Sequence, residues 1–531
     1  MNRVLRHIVP MRSLAFGKRV TTALRVGAAS IFLLTTACGM TSEAERQAKP
    51  PGDIARMFSA VLENVREIYI EEQPVNALAL AGLERIRVLD PAASIERQNG
   101  DIRLLINGTT VAAAPTASVN DYETWGAVME RLIEDGTDVS QRLQSTSRED
   151  LFKTLIDGQL SGLDRYSRYA GAEAAQRQRE DREGFGGIGI SIVGDADGAR
   201  IERVADDMPA ARGGIIEGDI ITKADGVSLR GMPLGSIVQR LRGPINSVIL
   251  ITLRRTGVAD PIDVTLSRER VIPVTVFYER QERIAYLRMT GFNQDTTREL
   301  SEAVRRSKTE IGAALAGIVI DLRGNPGGLL DQAVDAADLF LMQGRISSTR
   351  GRHPDSQQIF DATPDMIGRD IPLVILIDGA SASSSEVLAA ALQDLGRAVL
   401  IGSRSFGKGT VQTVLRLPND GDLILTWARL VTPSGYVLDK LGVMPTVCTS
   451  HSDDAATVLQ RALEKGEALR HIRMRRTADS ADPAQLETIK TLCPWQPHGG
   501  TDIDIEVAKK ILETPGLYQR ALQLTALSAR S

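Results

Sequence analysis

Two neighbouring stretches of the chain carry side chains that could perform acyl-transfer chemistry. A serine hydroxyl becomes a nucleophile when a nearby base takes its proton, and a neutral lysine can be that base. Backbone N–H groups at a helix start can stabilise the oxyanion that forms. One stretch places Lys408 between two glycines, and the other clusters four serines after an apolar run: Ser381, Ser383, Ser384 and Ser385.

Both stretches also have a structural interpretation. One serine ahead of Glu386 is typical of a helix N-cap, and most lysines are solvated surface charges. Capping needs one hydroxyl, however, so the cluster favours chemistry. The chain has only five histidines, and they form no metal-ligand spacing, so we predict neither a metal nor a cofactor. A serine–histidine–aspartate triad is the less favoured alternative, and Lys408 is the better candidate for a base.

The elements that must position these residues form an α/β pattern. Short apolar runs at 316–321, 372–377 and 398–401 have the length of buried strands, and 386–395 has a helical pattern. The first run ends in a glycine-rich segment up to Gly328, which could offer free backbone N–H groups to a cleft. A tight turn is the structural alternative. Phe406 and the strands could bury Lys408 and so lower its pKa.

Two nucleotide-binding patterns can be rejected. Residues 184–189 fit G-x-G-x-x-G, but a strand pattern follows where a dinucleotide site needs a helix. Residues 402–408 fit the start of a phosphate-binding loop. Gly409, however, stands where serine or threonine must hold magnesium.

Residues 184 to about 270 resemble a PDZ domain, through the glycine-rich loop and the stretch AARGGIIEGDIITKADGVSL. The resemblance implies that the loop offers N–H groups to the terminal carboxylate of a peptide, which then adds as a strand along 188–192. A small β-domain with a packing role is the alternative. The predicted tail-binding residues are Phe185, Gly186, Gly187, Ile188, Gly189 and Ile190.

The segments DLRGNPGG, GASASSSE, SFGKGTVQ and LVTPSG, in this order and after a PDZ-like unit, resemble the carboxyl-terminal processing (tail-specific) proteases. Matched by motif, Ser383 is the nucleophile, Lys408 the general base and Gln412 the residue that orients the lysine. The oxyanion hole would combine the N–H of Ser384 with one from Gly327 or Gly328. Two departures are a serine at 384, where the family usually has alanine, and Asp-Arg-Tyr-Ser at 164–167 in place of Asp-Pro-His-Ser.

The resemblance implies an α/β fold: a crotonase-like peptidase core with an inserted PDZ domain, a helical N-terminal region and a helical C-terminal tail. The competing class is a catalytically silent scaffold that delivers substrates to another protease. We predict a signal peptide at 1–37, a tether at 38–52, an N-terminal helical region at 53–182, a PDZ domain at 183–270, a serine peptidase core at 271–447 and a helical extension at 448–531.

The first forty residues or so are typical of an export signal, because basic residues precede an apolar run too short for a stable membrane anchor. Cys38 follows this run and resembles a bacterial lipobox cysteine, although Thr35 stands where leucine is usual. We predict a lipid-anchored periplasmic protein, with plain secretion as the alternative. In an oxidising compartment, Cys448 and Cys493 are more often paired than free.

Composition limits the partners. A net charge of −4 and 4% aromatic residues, without a basic patch, make nucleic acid an unexpected partner. The expected partners are protein or peptide substrates with free C-termini and the membrane that holds the lipid anchor. A homo-oligomer or an adaptor protein is a further possibility.

Overall fold

The computed structural model describes residues 52–450, 454–495 and 503–527. The predicted signal peptide, Cys38 and nearly all of the tether lie outside these ranges. None of the described helices is long and apolar enough to cross a membrane.

The N-terminal region packs six helices around a three-stranded antiparallel sheet in the order β1-β2-β3. A hairpin turn at Asn107-Gly108 joins β2 and β3, and both residues have positive φ. The region is thus less purely helical than the sequence suggested. Its elements are α1 (Asp53–Ile68), α2 (Val75–Glu84), α3 (Ile86–Leu89), β1 (Ala93–Gln98), β2 (Asp101–Ile106), β3 (Thr109–Pro115), α4 (Tyr122–Val139), α5 (Gln141–Ser145) and α6 (Arg148–Gln159).

A short strand and a helix lead into the PDZ-like unit, whose main sheet has the order β11-β10-β8-β7-β6, with β9 pairing β8. The strand β6 ends this sheet, and no strand in the described part of the chain pairs its outer side. The elements are β4 (Arg168–Ala170), α7 (Ala172–Glu183), β5 (Phe185–Gly187), β6 (Ile190–Asp195), β7 (Gly198–Val204), α8 (Pro209–Arg212), β8 (Ile220–Ala224), β9 (Val227–Ser228), α9 (Leu234–Leu241), β10 (Val248–Arg254), β11 (Ile262–Ser267) and β12 (Glu269–Val271).

The region predicted to be the peptidase core is built on a six-stranded sheet in the order β13-β14-β15-β18-β19-β22, parallel from β14 onward. Helices cover both faces, which explains the unbroken apolar runs of its central strands. Its elements up to the helix that follows Ser383 are β13 (Val276–Gln281), β14 (Ile284–Met289), α10 (Thr296–Ile311), β15 (Gly317–Asp321), α11 (Leu330–Asp338), β16 (Arg345–Arg350), β17 (Ile359–Asp361), β18 (Leu373–Ile377) and α12 (Ser384–Asp394).

A second sheet, in the order β17-β16-β21-β20, stands beside the first, and β4 also pairs β21. It links the peptidase core to the N-terminal region, because apolar residues of β21 pack into the N-terminal core. The remaining strands are β19 (Val399–Gly402), β20 (Thr410–Arg416), β21 (Asp422–Val431) and β22 (Val447–Cys448).

The described part of the C-terminal extension is helical, as predicted, and is integral to the core. The helices are α13 (Ala455–Leu459), α14 (Glu467–Thr477), α15 (Pro483–Leu492), α16 (Ile503–Glu513) and α17 (Leu517–Leu527). Residues of four of these described helices, α13, α14, α16 and α17, fill the second face of the parallel sheet, among them Val507, Ile511 and Tyr518.

Candidate active site

Three loops meet where neighbouring parallel strands end. The loop after β15 carries the glycine-rich segment, the loop after β18 carries Ser383, and the loop after β19 carries Lys408. Since β15, β18 and β19 are consecutive in the sheet, their carboxyl ends lie side by side. This is the edge of an α/β sheet at which sites commonly form. The structure thus brings together the stretches that the sequence singled out.

Ser383 stands at the N-cap of α12 with φ 56° and ψ −115°. A non-glycine residue in this region carries backbone strain of roughly 1–3 kcal/mol, which surrounding contacts must hold in place. The residue is half-buried at the start of the helix. The turn therefore presents the serine at the N-terminal end of a helix, where developing negative charge is favoured.

The other serines of the cluster tie α12 to the glycine-rich loop. Each donates its hydroxyl to a backbone carbonyl of residues 322–328, and this explains the cluster without assigning its members to chemistry. The serine that replaces the usual alanine takes part as well. The bonds are Ser381 to Leu322 (2.8 Å), Ser384 to Gly328 (2.9 Å) and Ser385 to Asn325 (2.9 Å).

Glu386 joins the serine loop to the lysine loop. Its Oε2 atom accepts the backbone N–H groups of Ser383 and Lys408, both at 2.9 Å. Its Oε1 atom accepts the N–H of Gly407 at 2.7 Å and the hydroxyl of Ser405. Burial raises the pKa of this fully buried carboxyl, and the four hydrogen bonds oppose that rise. One side chain therefore fixes the relative position of the proposed nucleophile and base.

Lys408 has the electrostatic environment of a base. Burial lowers its pKa from the ordinary value of 10.5, and the positive charge of Arg168 lowers it further. The negative charges of Glu386 and Asp164 act in the opposite direction. Within the described ranges its Nζ atom forms no ion pair, and it lies 5.2 Å from the ring centroid of Tyr166. Such a lysine is more readily neutral than a solvated one.

The turn at 164–167, which the sequence left without a chemical role, lies beside Lys408. Asp164 accepts hydrogen bonds from Tyr166 N–H (2.8 Å), Ser167 Oγ (2.8 Å) and Thr426 Oγ1 (2.9 Å). The turn is thereby fixed to β21 and sets the Tyr166 ring near the lysine. Hydroxyl-rich composition was the signal in the sequence, but only the pairing of β4 with β21 shows where it lies.

Phe406 differs from expectation, because it is 38% exposed. The aromatic ring near the Lys408 ammonium belongs to Tyr166, and Phe406 instead lies 5.4 Å from the Arg165 guanidinium carbon. Gly407, between Phe406 and Lys408, has φ +87°.

Gln412 lies on β20, and its Nε2 atom donates to Thr410 Oγ1 (2.9 Å) and Thr426 Oγ1 (3.1 Å). These contacts hold the amide on the face of the hairpin that also meets the turn at Asp164. The role of Gln412 in orienting Lys408 stays a prediction.

Of the three residues predicted for the oxyanion hole, two have available N–H groups. The N–H of Gly327 is donated to Asn325 Oδ1 at 2.9 Å, so Gly327 is the weaker candidate. Within the described ranges, the N–H groups of Ser384 and Gly328 have no acceptor. A Cβ atom on Gly327 would approach Ser384 N to 2.9 Å, so the loop lies directly against the helix start. The geometry favours Ser384 and Gly328.

A buried ion-pair network holds the start of the glycine-rich loop. Arg323 donates to both carboxylate oxygens of Asp321 (2.9 and 2.8 Å) and to Asp504 Oδ2 at 3.0 Å. Asp504 belongs to α16 of the C-terminal extension and also accepts the hydroxyl of Thr449. No sequence pattern points to Asp504, because it lies 181 positions from Arg323 in the chain.

The PDZ-like loop differs in detail from the prediction. Phe185–Gly187 form β5, which pairs β12, so they do not form an open loop. The edge strand β6 begins at Ile190, later than the expected start at 188, since Gly189 takes φ +77°. The N–H groups of Ile188 and Gly189 have no acceptor within the described ranges. The available carboxylate donors are thus at 188–189, beside the free edge of β6.

Arg242 lies against the same loop. Its guanidinium carbon is 3.7 Å from the ring centroid of Phe185, and its Nη1 atom donates to Glu180 on α7 at 2.9 Å. The adjacent Arg179 pairs with buried Asp422 of β21. The helix α7 therefore connects the PDZ-like unit with the second sheet of the peptidase region.

Cys448 and Cys493 are joined by a disulfide, which links the last strand of the core sheet to the end of α15. The two cysteines are 45 positions apart in the chain. It fixes part of the extension to the edge of the core. In the described part of the chain, no group of three His, Cys, Asp or Glu side chains is placed to hold a metal ion.

Residues 283–449 match Peptidase family S41, and residues 177–253 match the PDZ domain. The chain is 40% identical over 299 residues to a carboxy-terminal-processing protease of Bartonella bacilliformis, a match covering 56% of this chain and 69% of that protein. It is 33% identical over 313 residues to a probable CtpA-like serine protease of Staphylococcus aureus, covering 58% of this chain and 62% of that protein.

Among solved structures, the photosystem II D1 C-terminal processing protease aligns with a TM-score of 0.37 and 22% identity. The alignment covers 74% of this chain and 92% of that chain. The family matches at 177–253 and 283–449 cover most of the PDZ-like unit and all three loops of the site.

Proposed function

Because this chain belongs to the carboxy-terminal-processing protease family of serine-type peptidases, we propose that it is an exported endopeptidase that uses Ser383 as nucleophile and Lys408 as general base. The observation that carries the proposal is the shared contact at Glu386. The same carboxylate oxygen accepts the backbone N–H groups of both residues at 2.9 Å. Their relative position is thereby set before substrate arrives, as catalysis by a positioned base requires.

In the proposed first step, the Ser383 oxygen attacks a peptide carbonyl while its proton passes to neutral Lys408 Nζ. The carbonyl oxygen gains the negative charge and is stabilised by the N–H groups of Ser384 and Gly328. The helix N-terminus at Ser384 favours that charge as well. Collapse of the intermediate breaks the C–N bond, and Lys408 returns the proton to the departing amine.

The second step repeats this chemistry with water. Lys408, neutral again, takes a proton from water, and the hydroxyl attacks the acyl-serine. The ester C–O bond then breaks to release the free acid, and Lys408 returns the proton to the Ser383 oxygen. The lowered pKa of Lys408 supports both steps, since only the neutral amine can accept a proton. The turn with Tyr166 limits solvent around the ammonium and so supports the shift.

The PDZ domain is proposed to hold the free C-terminus of the substrate. The unpaired N–H groups of Ile188 and Gly189 fit a carboxylate, and the open edge of β6 fits an added strand. Arg242, beside Phe185, adds positive charge near this position. Tail capture would then deliver a more distant part of the same substrate to Ser383.

Export, lipidation of Cys38 and a periplasmic location are part of the proposal, supported by the basic and apolar pattern of the first residues. An oxidising compartment also fits the disulfide between Cys448 and Cys493. If Cys38 is lipidated, Cys38→Ser should move the protein from the membrane fraction to the soluble fraction. A homo-oligomer or an adaptor protein stays a prediction.

The decisive experiment compares the wild-type protein with Ser383→Ala on an unfolded protein substrate. We expect cleavage by the wild type only, with both proteins giving the same circular dichroism spectrum. Cleavage retained in Ser383→Ala would remove Ser383 as the nucleophile. No cleavage by either protein would favour the silent scaffold.

A further inference from the structure

The strand β20 is an open edge that begins directly after the lysine loop. It runs from Thr410 to Arg416 and pairs β21 on one side. Within the described ranges, no strand pairs its other side. An extended peptide lying there would start two residues beyond Lys408. An edge strand offers a row of backbone donors and acceptors to such a peptide.

The hairpin register shows which groups face the open side. Leu417 N–H donates to Gly421 O at 2.8 Å, which fixes a hydrogen-bonded pair at the hairpin end. Hydrogen-bonded and non-hydrogen-bonded pairs alternate along an antiparallel ladder. Counting back from this pair, the N–H and C=O groups of Arg416, Val414 and Gln412 point away from β21.

The opposite strand gives an independent check of this assignment. Thr426, opposite Gln412, donates its N–H to Ser167 Oγ (3.1 Å), and its carbonyl accepts Ile70 N–H (2.9 Å). The strand β4 pairs β21 around Asp422 and Ile424, on the side away from β20. The backbone groups of β21 at these positions therefore face away from β20. Their partners on β20 must likewise face outward.

We propose that β20 is the binding strand for the segment of substrate next to the scissile bond. The segment would add to the open edge and exchange backbone hydrogen bonds with Gln412 and Val414. This inference rests on the proposed function, because it assumes that the peptide bond is cleaved at Ser383. It is separate from tail binding at the PDZ domain, which involves a different edge strand.

Three features favour a peptide substrate over other occupants of this edge. The edge is continuous with the lysine loop, and Gly409, which connects the two, has its carbonyl bonded to Leu430 N–H at 2.8 Å. The spacing from Lys408 to Val414 is six residues, or about 20 Å of extended chain. Val414 is 40% exposed and so offers an apolar contact to a side chain of the bound segment.

In this proposal, the side chain and the backbone of Gln412 have different partners. Its side-chain amide is bonded inward to Thr410 and Thr426, which fixes the strand on the Asp164 turn. Its main-chain groups are the first outward-facing pair of the edge. Substrate bound there would lie against the strand that the turn beside Lys408 holds in place.

The test uses a proline at the edge. Val414→Pro removes one outward N–H and leaves the hydrogen bonds to β21 intact, since that N–H is not part of the hairpin ladder. The matched control is Ile359→Pro in β17, at the opposite edge of the same sheet, where the residue is 61% exposed. Both variants are made in the full-length Ser383→Ala protein, so that peptide binding is measured without cleavage.

The ligand is a fluorescent peptide that spans a mapped cleavage site and carries an amidated C-terminus, which removes the carboxylate read by the PDZ domain. We expect Val414→Pro to weaken its binding about tenfold and Ile359→Pro to change it less than twofold. Equal affinities for both variants would overturn the proposal. A change in self-association of Val414→Pro without a change in peptide binding would assign the edge to a second copy of the chain.

A second measurement does not depend on how the variants fold. Peptides N-methylated at one residue at a time are offered to the wild-type protein, and kcat/KM is measured. Strand pairing requires losses of about tenfold at alternate residues on one side of the scissile bond. A uniform or absent effect would overturn the proposal. Loss of all cleavage in Ser383→Ala tests the nucleophile separately.

Discussion

Ser383 and Lys408 are held by one atom: the backbone N–H groups of both residues donate to Oε2 of Glu386, each at 2.9 Å. The two residues come from loops after different strands, and no direct covalent or ladder contact sets their distance. A buried carboxylate does so instead. Glu386 can therefore be substituted without changing the side chain of either the proposed nucleophile or the proposed base.

Glu386→Gln should lower kcat/KM by roughly 10- to 100-fold. Four donors converge on the carboxylate, and an amide replaces one acceptor oxygen with a donor, so two of them lose their acceptor. Initial rates on a quenched peptide give the effect, and thermal unfolding shows whether the fold persists. A folded variant with wild-type kcat/KM would show that Glu386 does not position the site.

Lys408→Ala and Lys408→Arg should both abolish cleavage, and Ser383→Ala/Lys408→Ala should be no worse than either single variant. A guanidinium stays protonated and cannot accept the serine proton. Nucleophile and base act as one unit, so removing the second has no further effect. Circular dichroism provides the control for folding. Near-wild-type activity in folded Lys408→Arg would mean that the lysine is not the base.

The acid limb of the kcat/KM profile should follow the pKa of Lys408, because the proposed mechanism requires its neutral amine. Arg168 lowers that pKa by charge repulsion. Arg168→Gln removes this positive charge and so stabilises the protonated form of Lys408. The pKa of Lys408 therefore rises, and the acid limb moves to higher pH. The control is Arg177→Gln on α7, an exposed arginine paired with Glu173. An unshifted profile in Arg168→Gln would contradict the lysine assignment.

The disulfide should stabilise the protein by about 4 kcal/mol in the chain-entropy model for a loop of this length. Alkylation of the native protein without reduction should modify neither Cys448 nor Cys493, as intact mass would show. Cys448→Ser/Cys493→Ser should lower the midpoint of denaturant unfolding. Two alkylated thiols in the native protein would refute the pairing.

Cleavage should depend on the free C-terminus of the substrate. Amidation removes the charge that the N–H groups of Ile188 and Gly189 are proposed to hold, so KM should rise several-fold with little change in kcat. Paired peptides that differ only in this group provide the measurement. Equal kinetics for both would rule out tail reading and leave the roles of Ser383 and Lys408 untouched.

The sequence was most informative where a local pattern determines the structure. The strands β15, β18 and β19, which lead to Asp321, Ile377 and Gly402, begin and end within about one residue of the apolar runs that predicted them. Their apolar runs are buried on both faces, which local composition can reveal. Small residues after each run marked the loops that carry the site.

The sequence could not reveal partners brought together by the fold. Tyr166 is 242 residues from Lys408 in the numbering, and only the pairing of β4 with β21 places it there. Asp504 has no motif around it, and its ion pair depends on the packing of α16. Glu386 was visible as a capping residue, but its second set of contacts comes from the lysine loop.

The ion pair between Arg323 and Asp504 also bears on when the protein becomes active during its synthesis. A chain is made from its N-terminus, so the glycine-rich loop exists long before residue 504 has been added. Until then Arg323 lacks one of its two buried carboxylate partners, and one face of the parallel sheet lacks its helices. A nascent chain that already contains every proposed catalytic residue is therefore expected to be inert, and the protease becomes competent only after its last helices have been synthesised.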